Sequence, residues 1–305
     1  MSLQRPQRPQ RPQRSRRRGA LHDWVIGARL KTLPVSYAPL AVALAVAHAD
    51  GPLDPARAVL SVVLVLGFVL GTNFFNDYSD GIRGTDDHRE GPTRVVASGR
   101  ATPRQVFRHG AVLYGIGALA GIALAVLVSW WMLAVTVLIA LGGWFYTGGS
   151  RPYGYRGLGE ISIFLYHGVV FVCAPVYVQT GHVSATALLA SVPVGLLACA
   201  LLTTNNLRDI PTDAAAGKIT LAVRMGAPRT RLFYLGCVAG AFVTALLPAG
   251  SHPWTLLVLG ALPFAVPPAR RVLGGAAGRA LIPALEQTCL LLLVFGTLQA
   301  IGVAL

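Results

Sequence analysis

NFFNDYSDGIRGTDDHREGPTR, residues Asn73–Arg94, begins inside an apolar run, Val59–Phe75, and ends as a charged loop. It holds five of the chain's twelve acidic residues: Asp77, Asp80, Asp86, Asp87 and Glu90. Carboxylates at a membrane boundary are costly unless they pair or bind something. The stretch therefore marks both a helix that crosses a bilayer and the place where function is expected. A second acidic stretch, NNLRDIPTDAAAGK at Asn205–Lys218, closes another apolar run.

The whole composition agrees with a membrane setting. Of 305 residues 54% are hydrophobic and 12% charged, against about 25% charged in a soluble domain. Apolar runs of bilayer length, about 20 residues, fall near 33–49, 57–76, 106–128, 130–148, 158–179, 184–205, 230–249, 253–269 and 282–304. The predicted fold class is an all-α integral membrane protein with nine transmembrane helices. With the amino terminus inside, Arg57 is the only basic residue of 26 near an outer end. That asymmetry predicts a cytosolic amino terminus, an outer carboxyl terminus and both acidic stretches on the cytosolic face of the cell membrane. Leu33–Ala47 followed by Ala47-His48-Ala49 mimics a signal peptide, but Pro34 and Pro39 interrupt it and eight more runs follow. It reads as a retained first helix.

A net charge of +14 suggests nucleic acid at first sight. Seven arginines, however, lie in the QRP-rich Met1–Arg18, and the inner loops take most of the rest. Residues 1–20 read as a disordered basic cytosolic tail drawn to anionic headgroups, and 21–305 as one polytopic domain. No nucleic-acid partner is expected. Cys173, Cys199, Cys237 and Cys289 all lie in apolar runs, without metal or redox spacing, and read as packing residues. The Gly67/Gly71, Gly117/Gly121 and Gly236/Gly240 spacings read as close helix packing.

The two acidic stretches share a pattern. Asn73 and Asp77 are four residues apart, as are Asn205 and Asp209, so each pair occupies one helix face if the segment is helical. Asp80 extends the first face and Asp213 the second, although Pro211 leaves the direction of Asp213 open. Carboxylates and amides are oxygen ligands for a hard cation such as Mg²⁺, which commonly bridges few carboxylates to substrate phosphates. Arg94, Arg151, Arg208 and Lys218 suit phosphate oxygens. The joint reading is a diphosphate held by Mg²⁺ between two acidic arrays, beside an apolar cavity open to lipid. Inward acids in a helical bundle also suit an ion-coupled transporter, but these cluster at one face rather than the midplane.

Three stretches resemble the UbiA-type intramembrane prenyltransferases, and most closely their 1,4-dihydroxy-2-naphthoate branch: NDYSDGIRGTDDHREGPTR (Asn76–Arg94), YTGGSRPYGYRGLGE (Tyr146–Glu160) and NNLRDIPTDAAAGKITLAVRMG (Asn205–Gly226). The general first motif, N-D-x-x-D-x-x-x-D, would end at Gly84, and the next acid is Asp86. The second, Asp209-x-x-x-Asp213, has no gap, and Lys218 follows at the family's spacing. The resemblance implies helices around a central cavity capped by cytosolic loops. It implies that Asp77, Asp80, Asp209 and Asp213, with Asp86, hold Mg²⁺ on a polyprenyl diphosphate. Asn73, Asn76, Asn205 and Arg208 would assist, and Arg94 and Lys218 would meet the diphosphate oxygens. Tyr146, Arg151 and Tyr153 would serve the acceptor or the diphosphate. The implied reaction is prenyl transfer to 1,4-dihydroxy-2-naphthoate with decarboxylation, giving demethylmenaquinone. Hydroxybenzoate, homogentisate, haem and chlorophyllide are the rival acceptors. Glu160 reads as an acid/base group or a partner of Arg156, and His167 as a core histidine bonded to a neighbouring helix.

Overall fold

The computed structural model describes residues 20–87, 90–250 and 252–305. All but the last residue of the expected basic tail lies outside them. Among the described residues every regular element is helical. A short helix α1, Ala20–Ala28, precedes α2, Pro34–Asp50, and the long α3, Pro55–Arg83. Then come α4, Pro103–Leu127, and α5, Trp131–Thr147. Helix α6 covers Gly159–Thr180, α7 Ala185–Ala215 and α8 Leu221–Leu246, followed by α9 over Pro253–Leu273 and α10 over Gly278–Ala304.

Local sequence sets several of these boundaries. Pro55 opens α3 in the first turn, where a missing N–H costs nothing, and Asp54 accepts the Ala56 and Arg57 amides at 2.9 and 3.1 Å. Thr102 and Gln105 form a reciprocal capping box before Pro103 of α4. Helix α7 continues through Pro211 to Ala215, which removes the doubt about Asp213. Its final turn gains the Thr212 hydroxyl, donated to the Asp209 carbonyl at 3.1 Å.

Seven of these helices are long and apolar enough to cross a membrane, and the pair His22–Thr32 and Pro34–Asp50, bent by 55°, makes an eighth. The sequence expectation was nine. The difference rests on α5, whose 17 apolar residues extend roughly 26 Å, short of a hydrocarbon core about 30 Å thick. Exposed apolar side chains such as Val112, Leu119 and Val126 on α4, Leu141 on α5 and Val243 on α8 clothe the outside. This is the surface of a multi-pass membrane protein, not of a soluble one.

Two buried apolar clusters build the interior. One joins α2, α7, α8 and α10 around Leu197, Tyr234 and Phe295. The other joins α3, α4, α5 and α6 around Phe68, Leu124 and Met132. Helices α3 and α4 touch backbone to backbone: a Cβ at Gly67 would stand 2.8 Å from Gly117 Cα. Gly236, by contrast, meets nothing within 4 Å, so its pairing with Gly240 is not a contact. All four cysteines are buried thiols. A cavity of about 220 Å³ lies between the two clusters, walled by α3, α5, α6 and α7.

Candidate active site

The end of α3 presents one helical face to the cavity, carrying Thr72, Asn73, Asn76 and Asp80. That face is the i, i+3, i+4 row of a 3.6-residue helix. Asp77 follows Asn76 by about 100° of helix rotation and turns away from the cavity. Its carboxylate, 1% exposed, accepts the backbone N–H of Val95 at 2.8 Å and of Val96 at 3.0 Å. The helix ends at Gly84, whose φ of 77° is the left-handed cap that glycine tolerates.

The end of α7 is built the same way. Asn205 and Asn206 reach the cavity wall. Asp209 instead receives Nε and Nη2 of Arg208, each at 2.7 Å, in a buried fork, while Nη2 also reaches Asn205 Oδ1 at 2.7 Å. Asp213, one turn on, lies 3.5 Å from the Lys218 ammonium, which stands 4.0 Å from Asp80. The chain reverses between them through the Lys218 N–H, donated to the Asp213 carbonyl at 2.8 Å. One cation thus joins the two acidic stretches at the cavity mouth. Arg94 lines the cavity beside it and pairs with Asp86 at 3.5 Å.

The Tyr146–Glu160 stretch closes the third side. Tyr155 donates its hydroxyl to Asp80 at 2.7 Å, and its ring lies under Lys218 and Arg83, 5.4 and 5.5 Å from the centroid. Burial, and then the Asp80 charge, push the Tyr155 phenol well above its ordinary pKa, so it stays a donor at neutral pH. Arg83 donates to the carbonyls of Thr147 and Gly149, tying this loop to α3. Tyr146 and Tyr153 line the cavity edge to face, 5.6 Å apart. Tyr153 donates to the Gly142 carbonyl at 2.7 Å, and burial pushes its phenol up to about 12. Arg151 is exposed and stands off the wall.

Three residues of the site escaped the sequence reading. Arg29 is the single non-glycine residue with positive φ, 54°, among the described residues. It lines the cavity, and its Nη2 donates to the Asn73 carbonyl at 3.3 Å. Trp24 stacked on His109 at 3.4 Å and Asp23 paired with Arg100 at 2.9 Å hold α1 so that Arg29 arrives there. The available signal was a lone arginine just before the first apolar run. Tyr155 was visible in the quoted stretch but overshadowed by Tyr153. Asn206 lies next to the motif amide and holds buried Glu160 at 2.9 Å, so Glu160 has an amide partner rather than Arg156. His167 also lines the cavity, from a π-helical segment, Phe164–Val170, in α6. Its Nδ1 is buried without a hydrogen-bond partner among the described residues, unlike the bonded core histidine expected.

Whether Mg²⁺ suits this mouth turns on its donors. Among the described residues no three His, Cys, Asp or Glu side chains form a metal cluster. Asp77, Asp86 and Asp209 are engaged by amides or guanidinium groups, while Asp80 and Asp213 converge on one ammonium. Mg²⁺ takes one or two carboxylates and completes its shell with water and substrate phosphates. Two buried carboxylates drawn to one cationic centre fit that demand.

Residues 36–281 match the UbiA prenyltransferase family. The chain belongs to this family. It is 45% identical over 273 residues to a 1,4-dihydroxy-2-naphthoate octaprenyltransferase of Mycobacterium tuberculosis, covering 90% of this chain and 94% of that one. Among solved structures, the apo UbiA homolog of Aeropyrum pernix superposes with a TM-score of 0.66 at 17% identity, covering 87% of this chain and 96% of that one. A UbiA homolog of Archaeoglobus fulgidus bound to DMAPP and Mg²⁺ superposes with a TM-score of 0.60 at 13% identity, covering 92% and 99%. These structures share the UbiA fold with this chain.

Proposed function

We propose that this prenyltransferase moves a polyprenyl group from its diphosphate onto 1,4-dihydroxy-2-naphthoate, releasing diphosphate and CO₂. The carrying observation is the meeting of Asp80, Asp213 and Lys218 at the mouth of a largely apolar cavity. The name of the 45% identical relative supports the acceptor, and the ligands of the archaeal homolog support a prenyl diphosphate with Mg²⁺.

In this reading Asp80 and Asp213 would hold Mg²⁺, with Asn76 and Asn205 flanking them on the same helix ends. When bound, the ion neutralises charge that develops on the leaving diphosphate. Arg94 and Lys218 bind the diphosphate oxygens and stabilise the same charge. Tyr155 holds Asp80 in place. Apolar side chains of α3, α5 and α6 take the isoprenoid tail and exclude water, while the faces of Tyr146 and Tyr153 flank the allylic carbon as it becomes cationic. Arg29, with Asn73, receives the acceptor's carboxylate. The C–O bond breaks with its electron pair leaving on diphosphate. The ring carbon bearing the carboxylate bonds to the allylic carbon, and CO₂ departs, leaving its pair in the ring. The product is demethylmenaquinone in its hydroquinone form. Arg151, off the wall, and Arg208, locked to Asp209, fall outside the substrate set.

The distribution of basic residues supports a cytosolic amino terminus, a cytosolic mouth and residence in the cell membrane, with α5 counted as a ninth span. Membranes carrying the protein should release diphosphate from octaprenyl diphosphate only when both dihydroxynaphthoate and Mg²⁺ are present. Ion flux without diphosphate release would replace this reading with transport.

A further inference from the structure

The first aspartate of the N-D pair has both carboxylate oxygens committed to backbone. Asp77 accepts Val95 N–H at 2.8 Å and Val96 N–H at 3.0 Å, while the cavity is reached by its neighbours Asn76 and Asp80. The segment it grips is a compact turn. The amides of Arg100 and Ala101 return to the Val95 carbonyl at 3.0 and 3.3 Å, and Val95 is wholly buried. One helical turn after Asp77, Gly81 leaves room for this turn: a Cβ there would stand 2.5 Å from Val96 Cγ1. Asp77 and Gly81 therefore form a seat for Val95 and Val96. The residue immediately before them is Arg94, which lines the cavity and pairs with Asp86.

We propose that Asp77 is a positioning residue, not a metal ligand: it fixes the backbone that delivers Arg94 to the diphosphate. This rests on the prenyl-transfer reading for its kinetic consequences, but the seat itself does not. A carboxylate with two charge-assisted bonds to adjacent amides holds the loop in one register. To ligate a metal it would have to abandon two buried amides, leaving them without acceptors.

The test combines a wild-type measurement with a mutant cycle. Hydrogen exchange of the Val95 and Val96 amides in the wild-type protein should stay slow and equal with Mg²⁺ plus octaprenyl diphosphate and with EDTA. Acceleration on adding metal and donor would show the carboxylate leaving its seat and would overturn the proposal. In membranes, Asp77→Asn should raise KM for octaprenyl diphosphate about tenfold, with the Mg²⁺ concentration for half-maximal rate unchanged within about twofold. Its effect should vanish in an Arg94→Gln background, since the two act through one contact. A tenfold or larger rise in the Mg²⁺ requirement, or effects that multiply with Arg94→Gln, contradicts it. If Asp77→Asn does not accumulate, the wild-type exchange measurement decides. If the wild-type protein transfers no prenyl group, the functional reading fails, while faster tryptic cleavage after Arg94 and Arg100 in Asp77→Asn still tests the seat.

Discussion

The two acidic stretches, Asn73–Arg94 on α3 and Asn205–Lys218 on α7, use the same residue types for the same division of labour but secure it differently. Each sends one carboxylate to the shared Lys218 ammonium, Asp80 from the first and Asp213 from the second. Each also spends one carboxylate on its own support. In the first, Asp77 holds backbone amides of the following loop, so its partner lies 18 residues away. In the second, Asp209 is held by the adjacent Arg208, from within α7 itself. The first stretch organises a loop, and the second stiffens a helix end. An acidic motif is therefore not a uniform ligand set: in α3 helical phase turns Asp77 off the cavity, whereas in α7, where Asp209 and Asp213 share one helix face, the Arg208 fork sets Asp209 apart.

The largest effect should come from the pair that meets the Lys218 ammonium. Asp80→Asn or Asp213→Asn should lower kcat by about 10²–10³-fold, the scale of losing one transition-state charge stabiliser, and raise the Mg²⁺ requirement. Near-normal turnover in both would break the division. Next is Arg208→Ala, which removes the guanidinium fork from the buried Asp209 carboxylate. Breaking such a pair costs about 3–5 kcal/mol, read as a lowered unfolding temperature in detergent with kcat kept at low temperature. A fall in kcat at unchanged stability would return Arg208 to the substrate. The smallest effect belongs to Tyr155→Phe, which deletes the donor to Asp80. It should slow turnover about tenfold, the rate equivalent of about 1.5 kcal/mol. Because the folded-state phenol is raised, its neutral form is favoured in the fold. That stabilisation is complete below an unfolded pKa of about 10 and is lost only as pH rises through the folded value. Wild-type activity should thus show no alkaline loss from this group below about pH 10.

Much of this was legible because membrane helices and hard-ion chemistry are written in composition. Continuous apolar runs announced the helical class, and the acids Asp80 and Asp213 with Lys218 announced the mouth. The facing of Asp77 was not legible, since the Asn73–Asp77 spacing fits one helix face and nothing local names Val95 and Val96 as its partners. Arg29 enters through a left-handed backbone turn at a non-glycine residue, which no pattern rule foretells. Of the nine spans expected, seven or eight are long and apolar enough to cross, and the ninth turns on α5: a 17-residue apolar helix is recognisable in sequence as a run but is marginal in length against a bilayer.

The central claim is transfer of a prenyl group to dihydroxynaphthoate, and a competition assay meets it directly. Membranes bearing the protein, given octaprenyl diphosphate, Mg²⁺ and equal dihydroxynaphthoate and 4-hydroxybenzoate, should yield the decarboxylated naphthoquinol product with stoichiometric diphosphate. Formation of the hydroxybenzoate product alone would contradict the account.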